Sequence, residues 1–201
     1  AVGLRQARFD EGLRHAELTG GALKRLTNTG WLEAALAARL AEISLQQGEF
    51  ERAQGYTERS IELQREVHGE DSPEFALALA TRGSLHFFRG ELALALDEYR
   101  RSLAINEQHY GANHPIVGAS LNNVGAVEVT QFDNEAAEAT FTRVRQILEG
   151  AFGETHPMLG ALHGNLGMIA VFKGRPRQAI EEFRRALQIY EKHLPADHPN
   201  I

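Results

Sequence analysis

The chain has 201 residues, 43% hydrophobic and 24% charged, which is apolar enough for a substantial core and outside the range of a disordered tail. Its formal net charge of −6, with acids and bases mixed along the whole length, lacks the basic stripe that phosphate neutralisation requires, so nucleic acid is set aside as a ligand. No apolar run approaches the roughly 20 residues that cross a bilayer, and the absence of cysteine removes disulfides, zinc–thiolate sites and a cysteine nucleophile together.

The chain opens on Ala1 and not on Met, as a processed chain or an excerpt of a longer one does, and the cytoplasm is its default compartment. Phe9-x-x-Gly12-x-x-x-Ala16 echoes Phe50-x-x-Ala53-x-x-x-Thr57, so residues 1–26 read as the second helix of a worn, partial repeat. From there a period of 42 residues governs the chain. It links His114, His156 and His198, with Ser72-Pro73 one step earlier. The same step links Ala53, Ala95, Ala137 and Ala179, and also Ala41, Gly83, Gly125 and Gly167. Tyr99, Phe141 and Phe183 form an aromatic ladder four residues after the alanines, with Thr57 in the first unit. Four nearly complete units follow, over 27–68, 69–110, 111–152 and 153–194, and residues 195–201 begin another that does not finish.

Each unit reads as two helices. Apolar residues recur at three- and four-residue spacing in "PIVGASLNNVGAVEVTQ", and Ala137, Phe141, Val144 and Leu148 keep one face of the helix that follows. Gly48, Gly90 and Gly174 close the first helix of their units, a ladder that Phe132 breaks. Small residues let the two helices approach, and the aromatic ladder is expected to fill the wider gap beyond them. One such hairpin cannot bury its apolar face alone, so stacking predicts a quasi-one-dimensional core.

A small residue in the first helix, then Ala and an aromatic four later in the second, resembles the tetratricopeptide repeat (TPR) family: Gly125 with Ala137 and Phe141, Gly167 with Ala179 and Phe183. The usual unit has 34 residues; the longer unit here, with "HP" opening the first helix and Leu121-Asn122-Asn123 within it, looks like the kinesin-light-chain type. The resemblance implies an all-α fold, a right-handed α-solenoid of antiparallel helix hairpins. Terminal repeats normally carry a polar cap, so a longer parent chain, or self-association into a homo-oligomer through uncapped ends, is expected.

The repeated His-Pro pair reads as carpentry. Proline suits the first position of a helix, where its missing N–H has no partner to lose. Pro73, Pro115 and Pro157 take that place, which makes Ser72, His114 and His156 the N-caps. Gly69, Gly111 and Gly153 let the preceding helix end. A metal site is the sharper alternative, since His109 with His114 and His193 with His198 recur as pairs. The third unit has Ala151 in place of the first histidine, and ligands one repeat apart do not converge on one ion. No zincin, phosphate-loop or nucleophile-elbow motif occurs. The reading is therefore of a non-enzyme without cofactor or metal.

In a TPR superhelix the first helices line the concave face, and the resemblance directs attention to their inward positions. These are Arg39 and Glu42 in the first unit, Thr81, Ser84 and Phe88 in the second, Asn122 and Asn123 in the third, and Asn165, Met168 and Phe172 in the fourth. Asn123 and Asn165 are the leading candidates, because an amide can bond the backbone of an extended peptide without reading its sequence; the alternative is that they satisfy neighbouring helix groups. Phe88 and Phe172 read either as core or as pocket walls for a partner. Arg82, in a slot where sister units carry Leu or Val, is expected to pair with a carboxylate. Trp31 holds the helix-opening slot and is expected to pack on the partial repeat before it. The functional expectation is a module that holds a peptide or helix of another protein, with no nucleic acid and no membrane involved. Two rivals stand beside it: a peptide-sensing regulatory domain of a larger signalling or transcription protein, and a structural homo-oligomerisation module.

Overall fold

A computed structural model of the chain describes residues 30–193. Eight helices and no strand occur among them: α1 Gly30–Gln47, α2 Phe50–His68, α3 Pro73–Phe88, α4 Leu92–Tyr110, α5 Pro115–Thr130, α6 Asn134–Phe152, α7 Pro157–Phe172 and α8 Pro176–His193. The partial repeat expected over 1–26 and the unfinished one over 195–201, His198 included, lie outside the described residues. So does the segment expected to cover Trp31, which is 57% exposed.

Local chemistry sets the helix ends. Ser72 Oγ accepts from Phe75 N at 3.2 Å and His114 Nδ1 from Ile116 N at 3.2 Å, while His156 Nδ1 accepts from Met158 N at 3.4 Å. Each cap stands before the proline that opens α3, α5 or α7 and satisfies an amide the helix itself leaves orphaned. The capping imidazoles are held by rings four residues earlier: Tyr110 stacks on His114 at 4.8 Å and Phe152 on His156 at 4.5 Å between centroids. At the corners Gly69, Gly111 and Gly153 have φ between 79° and 86°, a region that costs a residue with Cβ. The turns after α1, α3 and α7 use Gly48, Gly90 and Gly174 in the same way, but the turn after α5 uses Phe132 at φ 60°.

The chain divides into two compact units, Ala1–Ile105 and Asn106–Ile201, with the boundary inside α4. In the first unit, Ile61, Phe75, Ala78 and Leu79 form a core against which Ile105 packs, and Ala34, Ala37 and Leu63 form a second cluster. In the second, Val117, Phe141, Val144, Leu148, Leu159, Leu162 and Ile169 are each at most 2% exposed.

The small-residue and aromatic ladders meet more directly than their spacing implies. A Cβ built on Gly83 would come 2.8 Å from the Tyr99 ring, on Gly125 2.8 Å from Phe141, and on Gly167 2.6 Å from Phe183. The ring does not fill a gap beyond the glycine; it lies on it. Where the first hairpin carries Ala41, Thr57 replaces the ring, so the extra methyl group and the lost aromatic compensate at equivalent positions.

Candidate functional site

The candidate residues of the first unit spend most of their polar groups internally. Arg39 Nη1 pairs with Glu42 Oε2 at 2.7 Å along α1. Thr81 is buried and its hydroxyl donates to the Leu77 carbonyl at 3.0 Å. Ser84 Oγ donates to the Ala80 carbonyl at 3.1 Å and lies 3.0 Å from the Tyr99 hydroxyl, whose pKa is raised by burial. Phe88 is 59% exposed and stacks on Phe50 at 6.4 Å, so it is not a core residue. Arg82 meets its expected carboxylate: Nη2 lies 2.6 Å from Glu98 Oε1, and the glutamate itself is buried.

The second unit differs. Asn123 on α5 and Asn165 on α7 occupy the same register position and are half-buried, and the side chain of neither makes a hydrogen bond among the described residues. The reading in which these amides merely satisfy neighbouring helix groups therefore has no bond to support it. Asn122 is exposed. Met168 and Phe172 follow Asn165 along α7 and are 45% and 48% exposed. Phe172 meets Phe132 edge-on at 6.2 Å, and Phe132 is 73% exposed at its positive φ. A bulky residue in that conformation is a strained choice where the sister turns use glycine. Half-buried amides and exposed aromatic and thioether side chains thus share this unit, the mix suited to an extended chain with apolar side groups.

A clamp fixes the end of α7 beneath this face. Lys173 Nζ reaches Glu135 Oε1 and Glu138 Oε2, both at 2.6 Å, and Arg175 Nη1 reaches Glu138 Oε1 at 2.9 Å. The Lys173 hydrogen bond holds the Glu138 carboxyl below the usual carboxylate range. In the first unit Arg89 makes the register-equivalent reach, donating to Gln54 Oε1 at 3.0 Å.

Two features went unread in the sequence. Phe132 was visible only as a gap in a glycine ladder. His163 and Glu182 form a buried pair, Nδ1 to Oε2 2.6 Å, with Arg145 Nη1 3.8 Å from the other carboxylate oxygen. The signal was a polar residue at 163 in a position that holds Leu79 and Leu121 in the sister hairpins. No group of three metal-ligating side chains occurs among the described residues, and no described helix is long and apolar enough to cross a membrane.

Helical hairpins repeated every 42 residues, three of them closed by a glycine under a ring and the first by Ala41 with Thr57, define an α-helical repeat protein of the solenoid class. The tetratricopeptide repeat family profile matches residues 32–108, 74–150 and 116–192, windows whose starts step by the same period. The chain belongs to the tetratricopeptide repeat family, with repeats of the kinesin-light-chain kind. Among solved structures it is similar to BtubC (BKLC) from P. vanneervenii, with TM-score 0.82 and 19% identity over 98% of this chain and 79% of that one. A kinesin light chain protein of nearly identical TPR-like repeats from Podosopora anserina gives TM-score 0.71 and 18% identity over 87% and 82%. A Rap protein complexed with Competence and Sporulation Factor gives TM-score 0.77 and 15% identity over 94% of this chain and 51% of that one. No curated protein sequence matches the chain. Folds of this family generally mediate protein–protein interaction and are generally not enzymes.

Proposed function

We propose that the chain is a non-catalytic binding module and that the first-helix face of the second unit, on α5 and α7, holds an extended peptide segment of another protein. The observation that carries this reading is the pair Asn123 and Asn165, half-buried and without a protein hydrogen bond at one register position. Their amides would bond the backbone of the bound segment. Met168, Phe172 and Phe132 would take its apolar side chains, so that affinity comes from apolar contact and backbone bonding with charge secondary. In the first unit Phe88 is the comparable exposed wall, while Arg39, Glu42, Thr81 and Ser84 are committed to internal partners. Carboxylate-tail recognition by a row of cations does not suit this face, whose inward candidates Asn122, Asn123, Asn165, Met168 and Phe172 include no base.

A second reading has its own support. A Rap protein of similar fold was solved with Competence and Sporulation Factor bound, and this chain spans 51% of that protein. By analogy the repeats would sense a peptide on behalf of a larger regulatory protein, and binding would shift the population between two arrangements of the hairpins.

Peptides selected from a random display library on the immobilised chain test the binding reading. Affinity that falls in Asn123→Ala/Asn165→Ala supports this face. Unchanged affinity places the site elsewhere. Peptides that bind only by dissociating a dimer, seen by sedimentation, would favour the homo-oligomer.

A further inference from the structure

A cavity of about 470 Å³ lies in the second unit, lined by residues of α6, α7, α8 and the corner that joins α6 to α7. The preceding corner shows what such a place ordinarily holds. There Arg143 Nη2 lies 2.5 Å from Glu107 Oε1 and donates to the Ala112 carbonyl at 3.2 Å, so a guanidinium plugs the gap between successive second helices. One period on, Glu107 becomes Glu149, Ala112 becomes Glu154 and Arg143 becomes Arg185. The plug is nevertheless missing. Arg185 Nη2 has turned to Glu181 Oε1 at 2.7 Å, and Glu149 makes no ion pair among the described residues. The sequence explains the diversion: the residue four before Arg143 is Ala139, whereas four before Arg185 stands Glu181, an i,i+4 carboxylate that competes for the guanidinium.

The place that Arg185 leaves open, while still lining it, has an acidic wall, Glu149 and Glu154, and a basic side. Lys192 Nζ stands 3.5 Å from Thr155 Oγ1, and His163, itself 3% exposed, forms part of the lining. Glu182 holds His163 by Nδ1, which leaves Nε2 without a hydrogen bond among the described residues. A carboxylate at Nδ1 fixes the orientation of the buried imidazole and leaves Nε2 as the nitrogen open to a ligand.

We propose that this cavity binds arginine whose α-carboxylate is free. The guanidinium takes the place that Arg143 fills in the sister corner, on Glu149 and the backbone carbonyl of Glu154. The carboxylate lies toward Lys192 and His163. The ligand is either free L-arginine or the C-terminal arginine of a peptide, since both carry the same two charged ends. This site is separate from the peptide-binding face: Asn123, Asn165, Met168 and Phe172 do not line it.

Calorimetric titration of the chain with L-arginine and with a Gly-Gly-Arg tripeptide tests the proposal, with citrulline and agmatine as controls. Each control lacks one of the two charges and should bind about tenfold or more weakly, the loss expected when one charged partner is left unpaired. Binding of both arginine probes assigns the site to any arginine with a free carboxylate, and binding of the tripeptide alone assigns it to a chain end. Glu149→Gln should lose about tenfold. Glu181→Ala is the more discriminating variant, because residue 181 does not line the cavity: freed of its i−4 partner, Arg185 should close on Glu149 and weaken the added arginine. Citrulline binding as well as arginine, full affinity in Glu149→Gln, or no heat from either arginine probe in the millimolar range would overturn the proposal, as would undiminished binding in Glu181→Ala.

Discussion

The Cα of Gly125 lies so close beneath the Phe141 ring that a Cβ built there would come 2.8 Å from Cζ, and the ring is fully buried with nowhere to retreat. Gly→Ala inside a helix ordinarily gains about 1 kcal/mol of propensity. Here overpacking outweighs the gain, and Gly125→Ala is expected to destabilise by about 1–3 kcal/mol. Gly167→Ala should be nearer neutral, because Phe183 is 38% exposed and its ring can swing aside. Gly164→Ala, with nothing within 4 Å of the added methyl group, should stabilise. Urea midpoints of the three variants give the ranking, and a Gly125→Ala midpoint at or above wild type would contradict it.

The first hairpin runs the same argument in reverse. Thr57 is 1% exposed and its hydroxyl has no partner, as is true of neighbouring buried Ser60 and of Ser44 on α1. Thr57→Phe alone should cost about 1–3 kcal/mol against the Ala41 methyl group. The double variant Ala41→Gly/Thr57→Phe should recover most of that cost, a coupling of about 0.5–3 kcal/mol read from a double-mutant cycle. Additive effects would mean that the two positions do not face each other as Gly125 and Phe141 do.

Glu138 provides a pH signature. Its carboxyl is held below the ordinary range chiefly by the Lys173 hydrogen bond, so the stabilisation is complete at neutral pH and is lost as pH falls through the lowered folded value. Carboxyl NMR titration should find the Glu138 midpoint below that of an unpaired glutamate, and Lys173→Met should move it up. A midpoint that ignores the lysine would show that the clamp does not persist in solution.

Phe132 separates stability from function. Glycine in its place removes the cost of a side chain at φ 60° and is expected to raise stability by about 1 kcal/mol, measured by urea denaturation. The same change takes away the ring beside Phe172 and should weaken selected peptides. A variant that is more stable and binds equally well would return Phe132 to the status of an ordinary turn residue.

Much of the fold was legible because its determinants are local. Pro at the first helical position, a capping side chain before it and Gly at the corner each act within a few residues, and the period of 42 repeats the message. The family profile and the eight helices agree with that reading. The site was less legible, since register says which positions correspond but not whether a polar group is already spent. Thr81 and Asn123 hold corresponding places, yet the threonine hydroxyl can bond back to its own helix and the asparagine amide remains unbonded. The exposure of Phe88 and Phe172 was likewise ambiguous, because an aromatic at helical spacing serves core and surface alike until its neighbours are placed. Arg185 shows a third limit: the competing carboxylate at 181 is plain in the sequence, but its effect depends on knowing that Arg143 plugs the corner before it.

The most direct measurement is the side-chain amide spectrum of Asn123 and Asn165, followed by NMR while a library-selected peptide is added. Both amide pairs should shift together and saturate with the binding isotherm, with Met168 methyl moving alongside. Shifts confined to α6 and α8, with both asparagine amides unmoved at saturation, would contradict peptide binding on the first-helix face.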